Sequence, residues 1–559
     1  MESLFGKQLP ARTADGRARV AALAALSRVQ REPAGLVDYR STGMLLIVGE
    51  RARAQALATR LADRLQCMVL ATNPGAGETA PAITTIQGSP LALSGHLGAF
   101  EVTAEVGGRE LNPARLAEPA RDCFDLVLDL SEPPLVDREI PPLGYFAPRG
   151  DAKALERCLD ELPELVGEFQ KPRFFNYDPD ICAHGRSGIR GCTRCIQACP
   201  TGAISSLGER IDVDPYLCQG AGSCSTVCPS GAISYAYPPV EDLLNALRRS
   251  LKAYRDAGGE HVPAVMLHDG ESGAALLNGV LETLPEWLVP MELEGVASAG
   301  MDLWMSALAY GAGRVLVLAP WGTPGGDRRA LQTQIAYARA ILETMGYPPE
   351  SVAMVDSEQA ARAAMEQTDP LSCPPAGFAG LSEKRTTLRL AIGHLHEHAP
   401  RRPARAELPA GAPFGEVRVN GQLCTLCMSC VSVCPASALA DGADRPQVRF
   451  VEANCLQCGL CSAACPEGAI DLHARINYDQ HEAGVARVLY EEEPFNCVVC
   501  GKPFATRAMI EKMNAKLADH WMFRTPEALR RLQMCEDCRV QDMFAAGGAV
   551  DVYDRPRDS

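Results

Sequence analysis

The chain has 559 residues, a length that fits about four domains rather than one. Apolar residues make up 47% and charged residues 22%, which excludes wholesale disorder, and a formal charge of −15 argues against nucleic acid, whose phosphates need a basic face. No apolar run approaches the roughly 18 residues of a membrane span, and residues 1–20 show neither a signal-peptide core nor twin arginines, so the expected location is cytoplasmic. There are 23 cysteines, most in short-spaced groups; in a reducing compartment such thiols point to metal rather than disulfides.

Residues 1–170 read as an α/β domain with an N-terminal helical segment. A strand is expected at Gly43–Gly49, a helix at Arg51–Arg64, and further strands at Cys67–Ala71, Ala99–Val106 and Phe124–Leu130. The turn Gly49-Glu-Arg-Ala-Arg lacks the Gly-x-Gly-x-x-Gly fingerprint, as does Gly75-Ala-Gly77-Glu, and no phosphate-binding Gly-x4-Gly-Lys loop occurs, so a structural or docking role is expected. The isolated Cys67, Cys123 and Cys158 read as small core hydrophobes.

Residues 171–240 hold Cys182, Cys192, Cys195, Cys199, Cys218, Cys224 and Cys228. They form two altered copies of a Cys-x2-Cys-x2-Cys-x3-Cys-Pro run. In the first, Ile189 stands where the leading cysteine belongs; Cys182, seven residues early, takes its place, and His184–Gly191 is expected to bulge as a polar loop. The parallel lead-ins Asp178-Pro-Asp-Ile-Cys182 and Asp214-Pro-Tyr-Leu-Cys218 support that substitution. In the second copy Ala221 replaces the second cysteine.

Residues 241–400 alternate again: helix Val240–Tyr254, strand Pro263–His268, helix Met301–Tyr310, strand Arg314–Ala319 and helix Arg328–Met345 are expected. The stretch Glu294–Pro320 is similar to the iron–sulfur delta subunit of methyl-viologen-reducing hydrogenases, which relays electrons toward heterodisulfide reductase. Ala297 and Ala319-Pro320 stand where that family carries cluster cysteines, so the resemblance implies its fold without its metal, retained for docking. The Pro320–Gly326 loop reads as a linker or partner surface. His394 and His398 share a helical face that His396 does not, and all three read as the last turn of a helix before a linker at 401–413. Cys373, in Ser-Cys-Pro-Pro, reads as linker.

Residues 414–478 hold two complete runs: Cys424, Cys427, Cys430 and Cys434-Pro435, then Cys455, Cys458, Cys461 and Cys465-Pro466. Thiolates two residues apart on a tight turn grip three corners of one cubane, and the fourth points toward the other cluster. Proline then turns the chain out of the helix. These runs resemble the bacterial two-cluster [4Fe–4S] ferredoxins. The resemblance implies one cluster on Cys424, Cys427, Cys430 and Cys465, and a second on Cys455, Cys458, Cys461 and Cys434. Carried back to the altered copies, it gives a third on Cys182, Cys192, Cys195 and Cys228. The fourth retains only Cys218, Cys224 and Cys199, as [3Fe–4S] or as a [4Fe–4S] cluster with a non-cysteine corner.

Residues 479–559 carry Cys497, Cys500, Cys535 and Cys538, which read as a zinc knuckle, with an iron–sulfur cluster as the alternative. The segment 495–543 and the Phe174-Phe-Asn-Tyr-Asp-Pro lead-in also resemble bacterial ferredoxin-type proteins found with formate dehydrogenases. The expected architecture is multidomain α/β plus α+β: two ferredoxin-like dicluster modules, two α/β layer domains and a C-terminal four-cysteine knuckle. The expected role is passing single electrons between redox proteins, of the formate dehydrogenase or hydrogenase/heterodisulfide-reductase kind, rather than acting as a self-contained enzyme. The alternatives are an oxidoreductase subunit whose odd cluster binds substrate, and a redox-sensing scaffold.

Overall fold

Six consecutive buried residues, Met44–Gly49, form a strand covered on both faces, as the centre of a parallel sheet requires. It lies in a computed structural model that describes residues 3–4, 7–8, 11–27, 32–73, 83–117, 119–280, 282–366, 370–442 and 445–545. Gly75 and Gly77 therefore lie outside the described residues. The chain divides into two units, residues 1–179 with 193–402 and residues 180–192 with 403–559.

In the first unit, Met44–Gly49 pairs in parallel with Gln66–Ala71 on one side and Leu126–Asp129 on the other. Thr84–Gln87 and Tyr145–Phe146 complete a five-stranded sheet. Helix Arg51–Leu61 covers one face, its first turn capped by Glu50, whose carboxylate accepts from the Ala52 and Arg53 N–H groups. The expected strand near 99–106 appears at Glu101–Val106, but in a separate antiparallel sheet with Ser89–Ser94 and Arg109–Leu111.

A second parallel sheet runs in the order Leu288–Leu293, Ala264–Asp269, Arg314–Leu318, Val352–Val355. Helices Val240–Asp256, Met301–Ala309 and Gly325–Thr344 flank it, close to their expected places. Trp304 is wholly buried. Helix Ala14–Leu26 packs into this core rather than onto the α/β layer that follows it in sequence. Buried Asp15 anchors it, accepting from the Tyr254 hydroxyl at 2.6 Å and from the Glu260 and His261 backbone N–H groups.

Between these layers in sequence lie the short elements of the first cysteine module. Phe175–Tyr177 pairs with Ile233–Tyr235, Ile204–Leu207 pairs with Arg210–Val213, and helices Arg194–Ala198 and Ser223–Val227 end at Cys199 and Cys228.

The second unit repeats that plan. Gly415–Val419 pairs with Ile470–Asn477, Leu439–Asp441 pairs with Gln447–Phe450, and helices Ser429–Ser432 and Leu460–Ala464 follow the cysteine turns. Residues 180–192 belong to this unit, and the expected polar loop is a two-stranded hairpin, Gly185–Arg186 with Ile189–Arg190. Ser187 and Gly188 turn it with φ of 54° and 74°, the left-handed geometry that matches strand twist in tight hairpins.

Beneath the cysteines, Arg475 lies between Glu416 and Glu452. Its Nε and one terminal nitrogen donate to Glu452 at 3.0 and 2.8 Å, and the other terminal nitrogen lies 2.6 Å from Glu416. Among the described residues no helix is long and apolar enough to cross a membrane.

Candidate metal centres

Three of the four cysteine turns share one backbone rule. Residues two and four positions after the leading cysteine are left-handed: Leu426 and Met428 after Cys424, Gln457 and Gly459 after Cys455, Gly220 and Gly222 after Cys218. Alternating left-handed residues curl the chain so that successive N–H groups face inward, a concavity suited to negative sulfur. Ala221 sits between two such residues, the position Cys427 and Cys458 hold in their own turns.

In the second unit the thiols fall into two neighbourhoods. Cys430 feels Cys424, Cys427 and Cys465; Cys461 feels Cys455, Cys458, Cys434 and Cys430. Cys434, Cys455, Cys458 and Cys461 border a small cavity whose other walls include Val417, Leu439 and Leu472. Backbone N–H groups of Ala438 and Ala469 donate to Cys434 and Cys465 sulfur at 3.2 and 3.3 Å, and the Gln457 amide donates to Cys455 at 3.3 Å.

Burial first, and then crowding by neighbouring thiols, pushes Cys430 up to about 11. Cys458 is pushed to the same value by burial, against the pull of the Leu460 N–H. Cys427 goes the other way: burial raises it, but the Ser429 hydroxyl and N–H outweigh that and hold it below the usual thiol value. Converging thiols whose anions would repel one another, ringed by N–H donors, fit a cationic iron–sulfide core, which would bind them as thiolates.

In the first unit Cys199, Cys218 and Cys224 border a small cavity, with Ala221 in its wall. Cys224 is raised well above the ordinary thiol value by burial and by Cys218, Cys199 and Cys195. This neighbourhood is held from both flanking layers. The Lys171 ammonium donates to the Tyr216 and Cys218 carbonyls at 3.0 and 2.7 Å, and burial lowers it to about 8. The Tyr39 hydroxyl donates to Tyr216 O at 2.7 Å, and the His96 ring stacks on Tyr216.

From the other side, a Cβ on Gly295 would come within 2.6 Å of Gly220 O, and one on Gly222 would meet Ser298 at 2.6 Å, so backbone lies directly on backbone. Buried Ser223, beside Cys224, hydrogen-bonds both Asp327 and Ala198 O. Burial raises Asp327 to about 6, with the Ser223 bond opposing and the Glu139 charge adding to the rise.

The remaining thiols of this module are divided. Cys195 and Cys228 belong to the first unit and Cys182 and Cys192 to the second. The 182–192 segment is closed by Gly191 N–H to His184 O at 2.7 Å and Cys192 N–H to Ala183 O at 2.9 Å. Gly191 lies against Leu460, where a Cβ would come within 2.6 Å of Cγ, and Cys192 contributes to the electrostatic surroundings of Cys458.

At the C-terminal end, Cys497, Cys500, Cys535 and Cys538 have sulfur atoms all within 4.8 Å of one another. Gly501, at φ 75°, follows Cys500 and allows the chain to double back so that Cys497 N–H reaches Lys502 O at 2.9 Å. Although burial raises Cys497, N–H groups of Cys500, Cys535 and Val499 converge on it and hold it below the ordinary thiol value. Four converging thiols, one already favouring the anion, fit a tetrahedral cation. The knuckle is joined to the cysteine turn of its own unit: the Thr506 hydroxyl donates to Thr425 O at 3.1 Å.

Cys67 and Cys158 pack at the edge of the core around Met44–Gly49, as expected of isolated cysteines. The histidines lie where the sequence puts them, in and just after helix Lys384–Glu397. Three contributors were invisible in the sequence, namely Lys171, Asp327 and the 295–298 turn. Each reaches the Cys218 turn from a distant segment with no spacing to announce it.

Comparison with protein-family models finds a 4Fe-4S dicluster domain at residues 423–470 and another at residues 189–232. The second match begins at Ile189 and so leaves Cys182 outside it. No curated protein matches the chain. The hydrogenase-like character expected of the middle region is not among these matches. The chain carries two 4Fe-4S dicluster domains, and these support an iron–sulfur electron-transfer role.

Proposed function

We propose that the protein passes single electrons between larger redox enzymes, and that its α/β layers dock those partners and insulate the clusters. The observation that carries this reading is the pair of dicluster domains, with their thiols gathered into buried, N–H-lined neighbourhoods. When bound, each cluster would accept and release one electron.

The proposed ligands are Cys424, Cys427, Cys430 and Cys465; Cys455, Cys458, Cys461 and Cys434; Cys182, Cys192, Cys195 and Cys228; and Cys199, Cys218 and Cys224 with no cysteine at Ala221. Zinc is proposed at Cys497, Cys500, Cys535 and Cys538. The protein's own contribution is to hold these thiolates, to place N–H donors on them and to exclude water. Lys171 adds positive charge beside Cys218, which favours the reduced state there. The proposed partner class is formate dehydrogenase, on the resemblance of segment 495–543 and the Phe174-Phe-Asn-Tyr-Asp-Pro lead-in, or a hydrogenase/heterodisulfide-reductase-like enzyme, on that of Glu294–Pro320.

The test is anaerobic purification with iron and acid-labile sulfide counts, followed by dithionite reduction and stopped-flow reoxidation by candidate redox enzymes. About 15–16 iron per chain and fast reoxidation only with a partner are expected. Turnover of a small-molecule substrate by the purified chain alone would overturn the carrier reading in favour of an enzyme.

A further inference from the structure

Outside the cysteine modules, three metal-binding side chains from two segments of the 241–400 region come together. His394 and His398 lie one turn apart at the end of helix Lys384–Glu397, their rings 4.5 Å apart between centroids. Cys373 arrives from the extended segment that precedes this helix. One ring nitrogen of each histidine and the Cys373 sulfur all lie within 4.8 Å of one another, and all three residues are half-buried.

The hydrogen bonds around the trio have a consistent direction. His394 Nε2 is 2.6 Å from Pro374 O, and His398 Nδ1 is 2.9 Å from His394 O. A carbonyl oxygen only accepts, so each imidazole donates through that nitrogen. His394 Nδ1 and His398 Nε2 are left with lone pairs. An imidazole whose second nitrogen is tied to a backbone carbonyl is the usual support of a metal-ligating histidine, because the bond fixes ring and tautomer. Tyr347 completes the surround: its hydroxyl donates to Leu395 O at 2.8 Å and is hydrogen-bonded to Cys373.

We propose that Cys373, His394 and His398 bind a divalent transition-metal ion, zinc by donor set, with water in the fourth position. Zinc–sulfur and zinc–nitrogen bonds of about 2.3 and 2.0 Å set tetrahedral donors roughly 3.3–3.6 Å apart, so side-chain shifts of about 1 Å close the site. The ion clamps the Cys373 end of the 370–382 segment to the last turn of helix Lys384–Glu397, where His394 meets Pro374 O; Leu381 and Thr387 tie the other end.

The experiment is zinc and iron analysis of the full chain purified anaerobically, loaded with zinc and dialysed, in wild type and in Cys373→Ser, His394→Gln and Cys497→Ser. Relative to wild type, Cys373→Ser and His394→Gln should each lose about one zinc per chain with iron unchanged. Unaltered zinc in both variants overturns the proposal. Should those variants fail to fold, Cys497→Ser decides it, since it keeps the trio and removes a ligand of the knuckle. Retained zinc with a mixed nitrogen and sulfur shell by X-ray absorption supports the site. A purely sulfur shell, or no retained zinc, overturns it.

Discussion

Removing the Arg475 guanidinium tests whether the second dicluster domain rests on its buried ion network. Arg475, Glu416 and Glu452 expose only 9%, 9% and 6% of their side chains. In Arg475→Met, Glu416 keeps Arg418 at 2.5 Å and Arg487 at 3.2 Å, whereas Glu452 keeps only Arg487 at 3.6 Å. Breaking a buried pair from one side costs about 3–5 kcal/mol, because the orphaned charge stays buried. With Glu416 still paired, the lower end is expected, about 3 kcal/mol. The double variant Arg475→Met/Glu452→Gln should recover most of the loss.

The pH dependence follows from Glu416. Burial raises its carboxyl, but the Arg418 hydrogen bond and the Arg475 and Arg418 charges win and hold it below the ordinary 4.5. Its contribution is therefore full above pH 4.5 and disappears as pH falls through the lower folded value; the variant should show a shallower loss. Urea unfolding of the cluster-loaded protein, followed by circular dichroism and cluster absorbance together, measures this. A single-variant loss under about 1 kcal/mol, or no recovery in the double variant, would refute the argument.

Ala221→Cys should add about one iron per chain and abolish an EPR signal present in the oxidised wild type, since three ferric ions give half-integer spin and an oxidised [4Fe–4S] cluster is normally silent. An oxidised wild type that is EPR-silent with about 16 iron per chain sinks the three-iron assignment. Cys182→Ser should lower iron content without disturbing the 424–465 clusters; unchanged iron and spectrum would remove the hairpin from the ligand set. Asp327→Asn should stabilise the protein by about 1–3 kcal/mol at pH 7.5 and by nothing near pH 4. The reasoning is that one Ser223 hydrogen cannot serve both Ala198 O and a carboxylate, whereas an amide at 327 donates to Ser223. Burial lifts Asp327 to about 6 from 3.8, so its penalty grows as pH rises through that window. Equal stability of variant and wild type at pH 7.5 would show that Asp327 is not held against its ionisation.

Cysteine spacing made the two modules legible because a cubane dictates where successive thiolates stand, and strand positions such as Met44–Gly49 were legible because burial on both faces leaves a continuous apolar run. Helix Ala14–Leu26 could not be assigned to its partner from sequence, since Asp15 meets Tyr254 across 239 residues. The hairpin at 185–190 was legible only as a polar loop because Arg186 to Arg190 lacks apolar alternation; only the Ser187-Gly188 turn marked its strands. The Cys373 trio escaped for a related reason. The histidine spacing fits an ordinary helix end, and the cysteine comes from a Pro-rich segment whose path no local pattern fixes.

The close seating of Gly295 on Gly220 and of Ser298 on Gly222 bears on how the protein is made. That turn braces the backbone of the loop that carries Cys218 and Cys224, and it is synthesised some seventy residues after Cys224. A nascent chain thus passes through an interval in which these thiols exist while the backbone that sets their spacing is still unbraced. Loosening the brace with Ser298→Gly should accordingly slow cluster loading at Cys199, Cys218 and Cys224 and leave loading at Cys424–Cys465 unchanged; identical loading of variant and wild type would show that the brace is dispensable.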